Sequence, residues 1–230
     1  MGLFEIPDEG RASRIGESSQ DIMGFTVVGE DRFLASGHPN MIQQPNEPPL
    51  LGLIESADGG MTWESVSLRG DADFHSLTAA HDRVYGYDST TSRLLVSEDN
   101  KTWDERSTLR LASFAVDPTD PDRLVASTEE GVVESTDGGR TWDAAGGPLL
   151  VYLAWDETGG LWGVGPEGEV FHDPAADGSW EPKGTLPGQP QALLVTDDEL
   201  YAAATVDGAT GIYRSDDGAA TWELRYQDEA

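Results

Sequence analysis

The stretch Ser56-Ala57-Asp58-Gly59-Gly60-Met61-Thr62-Trp63 recurs as Ser135-Thr136-Asp137-Gly138-Gly139-Arg140-Thr141-Trp142, and again as Ser215-Asp216-Asp217-Gly218-Ala219-Ala220-Thr221-Trp222. A version one residue shorter reads Ser97-Glu98-Asp99-Asn100-Lys101-Thr102-Trp103, and a worn one reads Asp177-Gly178-Ser179-Trp180. The tryptophans at 63, 103, 142, 180 and 222 are spaced by 40, 39, 38 and 42 residues. A period near 40 marks an array of supersecondary units, each helical or β.

The residues between these stretches decide which. After the first stretch come Phe74 to Ala80, Arg83 to Tyr87, Ser92 to Ser97 and Trp103 to Ser107, short β-rich runs separated by turn residues. The next unit repeats the order with Leu111 to Val116, Arg123 to Ser127, Gly131 to Ser135 and Thr141 to Ala145. No stretch carries apolar residues at helical spacing over eleven positions. Four antiparallel strands per unit of this length is a propeller blade, so the fold class is an all-β propeller.

The repeated stretches resemble the Asp-box, or BNR, repeat of the sialidase-like propellers, from about Gly24 to the end of the chain. The resemblance implies that each box is the hairpin between the third and fourth strands of a blade. Box aspartates accept turn N–H groups as Asx turns do, glycines there permit positive φ, and the tryptophans are expected between neighbouring blades. Ser56, Asp58, Gly60, Trp63, Ser97, Asp99, Trp103, Ser135, Asp137, Gly139, Trp142, Asp177, Trp180, Ser215, Asp217 and Trp222 are therefore read as structural. The boxes lack the ligand count of a calcium loop.

The whole chain reads as one domain with blades at 21–70, 71–109, 110–147, 148–184 and 185–230. Before them stand two short runs, Gly2 to Ile6 and Ala12 to Gly16, which read as the outer half of a sixth blade over 2–20. A six-bladed design short of its first strands is expected to begin upstream, to take a partner chain into the missing edge, or to leave that edge open.

The 230 residues carry 43 Asp and Glu against 14 Lys and Arg, a formal charge of −29. That charge excludes a nucleic-acid partner, since nothing can neutralise a row of phosphates, and it excludes an anionic membrane surface. An acid excess with two lysines, Lys101 and Lys183, suits the solvated surface of salt-adapted proteins. With 37% hydrophobic residues and 7 tryptophans the chain is too apolar to be disordered, yet its apolar runs are too short to span a bilayer. The absence of cysteine excludes disulfides, thiolate zinc sites and thiol catalysis. The start MGLFEIPDEG has no secretory pattern, which reads as cytoplasmic for the chain as it stands and as secreted if a leader precedes it.

In a blade the first strand begins, and the second ends, on the channel face, opposite the boxes. His38 follows a second strand and His75 opens the next first strand, so both belong on that face beside Asp73. His38, Asp73 and His75 are candidate ligands for a divalent metal, or an acid–base group. His81 falls on the box face and His172 on an outer strand, and neither is given a function. Arg93, Arg110 and Tyr152 are further channel-face candidates, with Asp88, Glu129, Glu130 and Gln191 behind them. The polar, proline-rich insertion Asn40 to Pro49 is expected over the same face, as a lid or as a tolerated loop.

The stretch SGHPN…PPLLGLIES-ADGGMTW followed by DADFHSL also resembles bacterial and archaeal Asp-box proteins catalogued as glycosyl-hydrolase-like or exo-α-sialidase-like. Relatives of that kind carry further histidines in inner strands that this chain lacks. Sialidase chemistry, as the resemblance implies, needs three arginines, a tyrosine nucleophile with a glutamate, and an aspartate. The nearest match to its Arg-Ile-Pro motif is Arg14-Ile15-Gly16, on an outer strand without the proline. There is no G-x-S-x-G and no G-x-x-x-x-G-K-[ST]. The sequence therefore points to a ligand-binding or interaction module for a carbohydrate or a protein. A glycoside hydrolase and an assembly factor for a larger complex are the competing readings.

Overall fold

The computed structural model describes residues 2–7, 11–196 and 199–227. The limit expected for the last blade at residue 230 lies outside these residues. Five four-stranded antiparallel sheets follow one another along the chain, the blades of a β-propeller. By contacts the chain divides into two compact units, 1–109 and 110–230.

The first unit holds two blades. One is β3 (Asp21–Gly29), β4 (Arg32–His38), β5 (Leu53–Ser56) and β6 (Glu64–Ser67), with β1 (Leu3–Glu5) and β2 (Ser13–Ile15) ahead of it. The other is β7 (Phe74–Ala80), β8 (Arg83–Asp88), β9 (Arg93–Ser97) and β10 (Asp104–Thr108). Leu34 and Leu53 of the first blade meet Phe74, Leu77, Val84 and Leu95 of the second in one buried cluster. Two side-chain oxygens stitch the same seam, Ser36 Oγ accepting the Phe74 N–H at 3.0 Å and Thr26 Oγ1 accepting the Ala79 N–H at 3.2 Å.

The second unit holds three blades: β11 (Ser113–Val116) to β14 (Asp143–Gly146), β15 (Tyr152–Trp155) to β18 (Glu181–Thr185), and β19 (Gln189–Val195) to β22 (Glu223–Gln227). Its cores repeat the pattern, with Val125, Val132, Leu150, Leu153 and Leu161 in one cluster and Trp162, Val164, Leu200 and Tyr213 in another. Ser113 Oγ accepts the Leu153 N–H at 3.2 Å, as Ser36 does for Phe74. In all five blades the pairing of third and fourth strands shifts register once, a bulge that adds twist to the outermost strand.

The N-terminal runs correct one expectation. They form a two-stranded ladder of their own, not a partial sixth blade. Each strand has only three residues, largely exposed, and neither pairs with another sheet. The ladder lies against the first blade's turn instead. A Cβ at Gly60 would meet Leu3 and Ile15, and one at Gly16 would meet the Met61 backbone.

The repeated turns share one bonding scheme. Ser56 Oγ donates to Asp58 at 2.9 Å and accepts the Gly60 N–H at 2.8 Å, while Asp58 accepts the Thr62 N–H at 2.9 Å and its hydroxyl at 2.6 Å. Ser135, Asp137 and Thr141 repeat it, as do Ser215, Asp217 and Thr221. In the shorter turn Ser97 donates to Asp99 and Trp103 Nε1 reaches Ser67 Oγ at 3.0 Å. In the worn turn Asp173, buried at the end of β17 (Glu169–Asp173), takes the Gly178 N–H at 2.6 Å, and Asp177 accepts only from Ser179. Trp103, Trp180 and Trp222 join the buried clusters named above, whereas Trp63 packs on Ala35, Leu51 and Ile54 of its own blade.

These bonds set an acid limit on the turns. The Thr102 and Lys101 N–H groups, with the Thr102 hydroxyl, lower the Asp99 carboxyl from 3.8 to about 2. A carboxylate held lower in the folded chain contributes stability that is present above its unfolded value and lost as pH falls through the folded one. The turn at 98–103 is expected to loosen between pH about 4 and about 2. Amide chemical shifts of Lys101 and Thr102, followed down in pH, should show a midpoint near the lower value. A midpoint near 4 would contradict the assignment.

Candidate functional site

The seam between the first two blades places three ligating groups together. β4 ends at His38, and β7 starts at Phe74 with Asp73 just before it. A register shift between Phe74 and Ser76 leaves His75 in a bulge, a device that re-aims side chains. Gly37, with φ of 146°, is where β4 turns to present His38, and a Cβ there would strike the Asp21 carbonyl.

Asp73 is the floor of the cluster and the histidines are its rim. The Asp73 side chain is 4% exposed, those of His38 and His75 37% and 39%. Asp73 Oδ2 lies 3.0 Å from His75 Nε2 and 3.6 Å from His38 Nε2. The two imidazoles stand at 89° with centroids 6.4 Å apart. One ligand atom from each residue falls within 4.8 Å of the others. Two ligands about 2.0–2.2 Å from a tetrahedral ion stand about 3.3–3.6 Å apart, so the Asp73–histidine separations bracket what an ion needs.

Surrounding groups hold the ligands in place. His38 Nδ1 sits 3.0 Å from the Pro49 carbonyl, which makes Nδ1 a donor and turns Nε2 toward Asp73. Ser89 donates to Asp73 Oδ2 at 3.2 Å. The Asp73 N–H points at Asp88 Oδ1, 3.3 Å away. Asp73 Oδ1 is buried with no hydrogen-bond partner. Such an atom costs about 1–3 kcal/mol unless something else satisfies it.

Asp88 is fully buried and supports the floor. Burial pushes its carboxyl up, but the Thr91 and Thr90 hydroxyls, the Asp73 N–H and Arg93 together bring it below its ordinary value. Arg93 is turned to Asp88 and Glu105, at 3.3 and 3.2 Å. It therefore serves the support and not the rim. Arg110 is exposed, and Tyr152 is half-buried on β15 with its hydroxyl pushed up by burial. Both belong to the second unit, and the cluster is made by first-unit residues alone.

The insertion contributes backbone as well as side chains. Leu51 N–H donates to the Gly37 carbonyl at 2.9 Å, and Glu47 pairs with Arg69. The Pro49 carbonyl was invisible to sequence reasoning because every residue has one. Ser89 gave no signal either, whereas Asp88 stood among the secondary candidates by strand position. His172 is structural, stacked on Trp162 with centroids 4.0 Å apart and 3.2 Å from Asp156.

No protein-family model and no curated protein matches the sequence. Solved structures do. A chain of the nidogen/laminin complex is 15% identical with a TM-score of 0.66, over 91% of this chain and 80% of that one. YCF48 bound to D1 peptide is 17% identical with a TM-score of 0.55, over 91% and 70%. The GH74 xyloglucanase from Xanthomonas campestris is 22% identical with a TM-score of 0.57, over 95% of this chain but 33% of that one. Likeness at these identities fixes the architecture that the blades already display, a β-propeller.

Proposed function

We propose that this chain is a sialidase-like Asp-box propeller, one domain over 1–230, that holds a divalent first-row metal ion on His38, Asp73 and His75 and uses it to bind a ligand. The observation that carries this reading is the cluster itself, a buried Asp73 carboxylate with one ligand atom from each of His38 and His75 within 4.8 Å at the rim above it. Two neutral imidazoles and a carboxylate suit zinc and its neighbours, and three protein ligands leave coordination positions open. The ion, when bound, supplies a Lewis acid for an oxygen or nitrogen donor of the ligand. His38 and His75 would hold that ion at the rim, and the Asp73 carboxylate would offset its charge.

A propeller solved with D1 peptide bound makes a protein ligand reasonable for the same architecture.

Titration calorimetry of zinc into chelator-treated protein tests the reading. One site per chain is expected, weakened at least a hundredfold in His38→Ala/His75→Ala. Equal binding by that variant would refute it.

A further inference from the structure

A second site adjoins the first blade, and it is independent of the metal. A cavity of about 230 Å³ is lined by Ser19, Gln20, Asn40, Gln43, Gln44 and Trp63, with Glu17 at its side. We infer that it binds a neutral sugar ring.

Trp63 is the aromatic residue of the lining. It packs on the cluster of Ala35, Leu51 and Ile54, so it is held by the blade that carries it. Small-molecule sites pair such aromatic residues with a few placed polar groups that fix orientation. The other residues are amides and hydroxyls. Each sugar hydroxyl both donates and accepts, and an amide side chain offers both partners.

The polar wall is built in advance. Asn40 Oδ1 accepts the N–H groups of Ile42 at 3.0 Å and Gln43 at 3.3 Å, an Asx turn at the start of the insertion. Asn40 Nδ2 donates to Ser19 Oγ at 2.8 Å, and Ser19 donates on to Gln43 Oε1 at 2.7 Å. This relay fixes the Gln43 carboxamide through its oxygen and does not use its NH2 group. Gln20 also lines the cavity and adds a carboxamide to the same polar wall.

Charge narrows the ligand further. The lining residues include one carboxylate, Glu17, and no cation. Arg14 stands beside the wall with its guanidinium on the Glu17 and Ser18 carbonyls, so no described lining residue offers an anion a cation, in a chain of net charge −29. The volume lies below the roughly 300 Å³ at which pockets for drug-sized ligands begin, which suits a single ring or the end of a glycan.

Saturation-transfer NMR with the methyl glycosides of glucose, galactose, mannose and xylose tests the inference, with a blocked tripeptide as comparison. At least one glycoside should receive saturation from wild type. Its affinity should fall at least tenfold in Gln43→Ala/Gln44→Ala, where both residues are exposed, and also in Gln20→Leu. It should be unchanged in His38→Ala/His75→Ala, which separates this site from the metal reading. Transfer to none of the glycosides, transfer to the tripeptide alone, or transfer unaltered in the glutamine variants would overturn the inference.

Discussion

Phe74→Ala is expected to destabilise the protein by about 3–5 kcal/mol, the range for removing a buried phenyl ring. Phe74 is fully buried at the centre of the seam between the first two blades. Its ring sits 4.9 Å from that of Trp103 and fills the space that Gly86 leaves by lacking a Cβ. Its N–H is also the donor to Ser36 Oγ. Neighbours this constrained cannot collapse into the gap, so the upper part of the range is expected. Urea unfolding followed by tryptophan fluorescence gives the value. A loss under about 1 kcal/mol would mean that the seam does not carry the first unit's stability. Because Phe74 lies between Asp73 and His75, the same variant should weaken metal binding.

Asp73→Ala is the second large effect, and it separates the metal-bound protein from the metal-free one. With metal at a hundredfold over its Kd, wild type gains about 2.7 kcal/mol, which is about 5–11 °C in Tm for a chain of this size. The variant should show none of that shift. Without metal the variant gives up the Oδ2 contacts to His75 and Ser89 but also removes the buried, unpartnered Oδ1, so a small net loss of stability is expected. Differential scanning fluorimetry with and without zinc reads both. A variant that is strongly destabilised without metal would make Asp73 a structural residue that holds His38 and His75 by ion pairing alone.

Much of this was legible in the residues. The Ser-x-Asp stretches place a turn every 40 residues or so, and alternation between them gives four strands, so five blades follow from spacing. The run Phe74 to Ala80 coincides with β7, and Gly131 to Ser135 with β13 (Gly131–Ser135). Local chemistry sets such turns, which is why Asp58 and Asp137 keep one bonding scheme. The pairing of His38 with His75 was legible for a different reason. Strand direction alone puts the end of a second strand beside the start of the next first strand.

What escaped depended on tertiary partners. The two N-terminal runs have the strand pattern of a blade, but three-residue strands find only each other. Arg93 sits where a ligand-gripping arginine would, and buried Asp88 claims it. In the worn repeat Asp173 ends the third strand where other blades have Ser56 or Ser135, and it takes a turn N–H as those serines do. Nothing in the insertion's composition announced that Pro49 would orient the His38 imidazole, since the group responsible is a carbonyl.

The most direct test is to ask which atoms surround the ion. Zinc-loaded protein, one equivalent per chain, would be examined by X-ray absorption at the zinc edge. Two imidazole nitrogens at about 2.0–2.1 Å and at least one carboxylate oxygen at about 2.0–2.2 Å are predicted, with the imidazole signal lost in His38→Ala/His75→Ala. A shell of oxygen alone, unchanged by that substitution, would place the zinc on surface carboxylates and contradict the account.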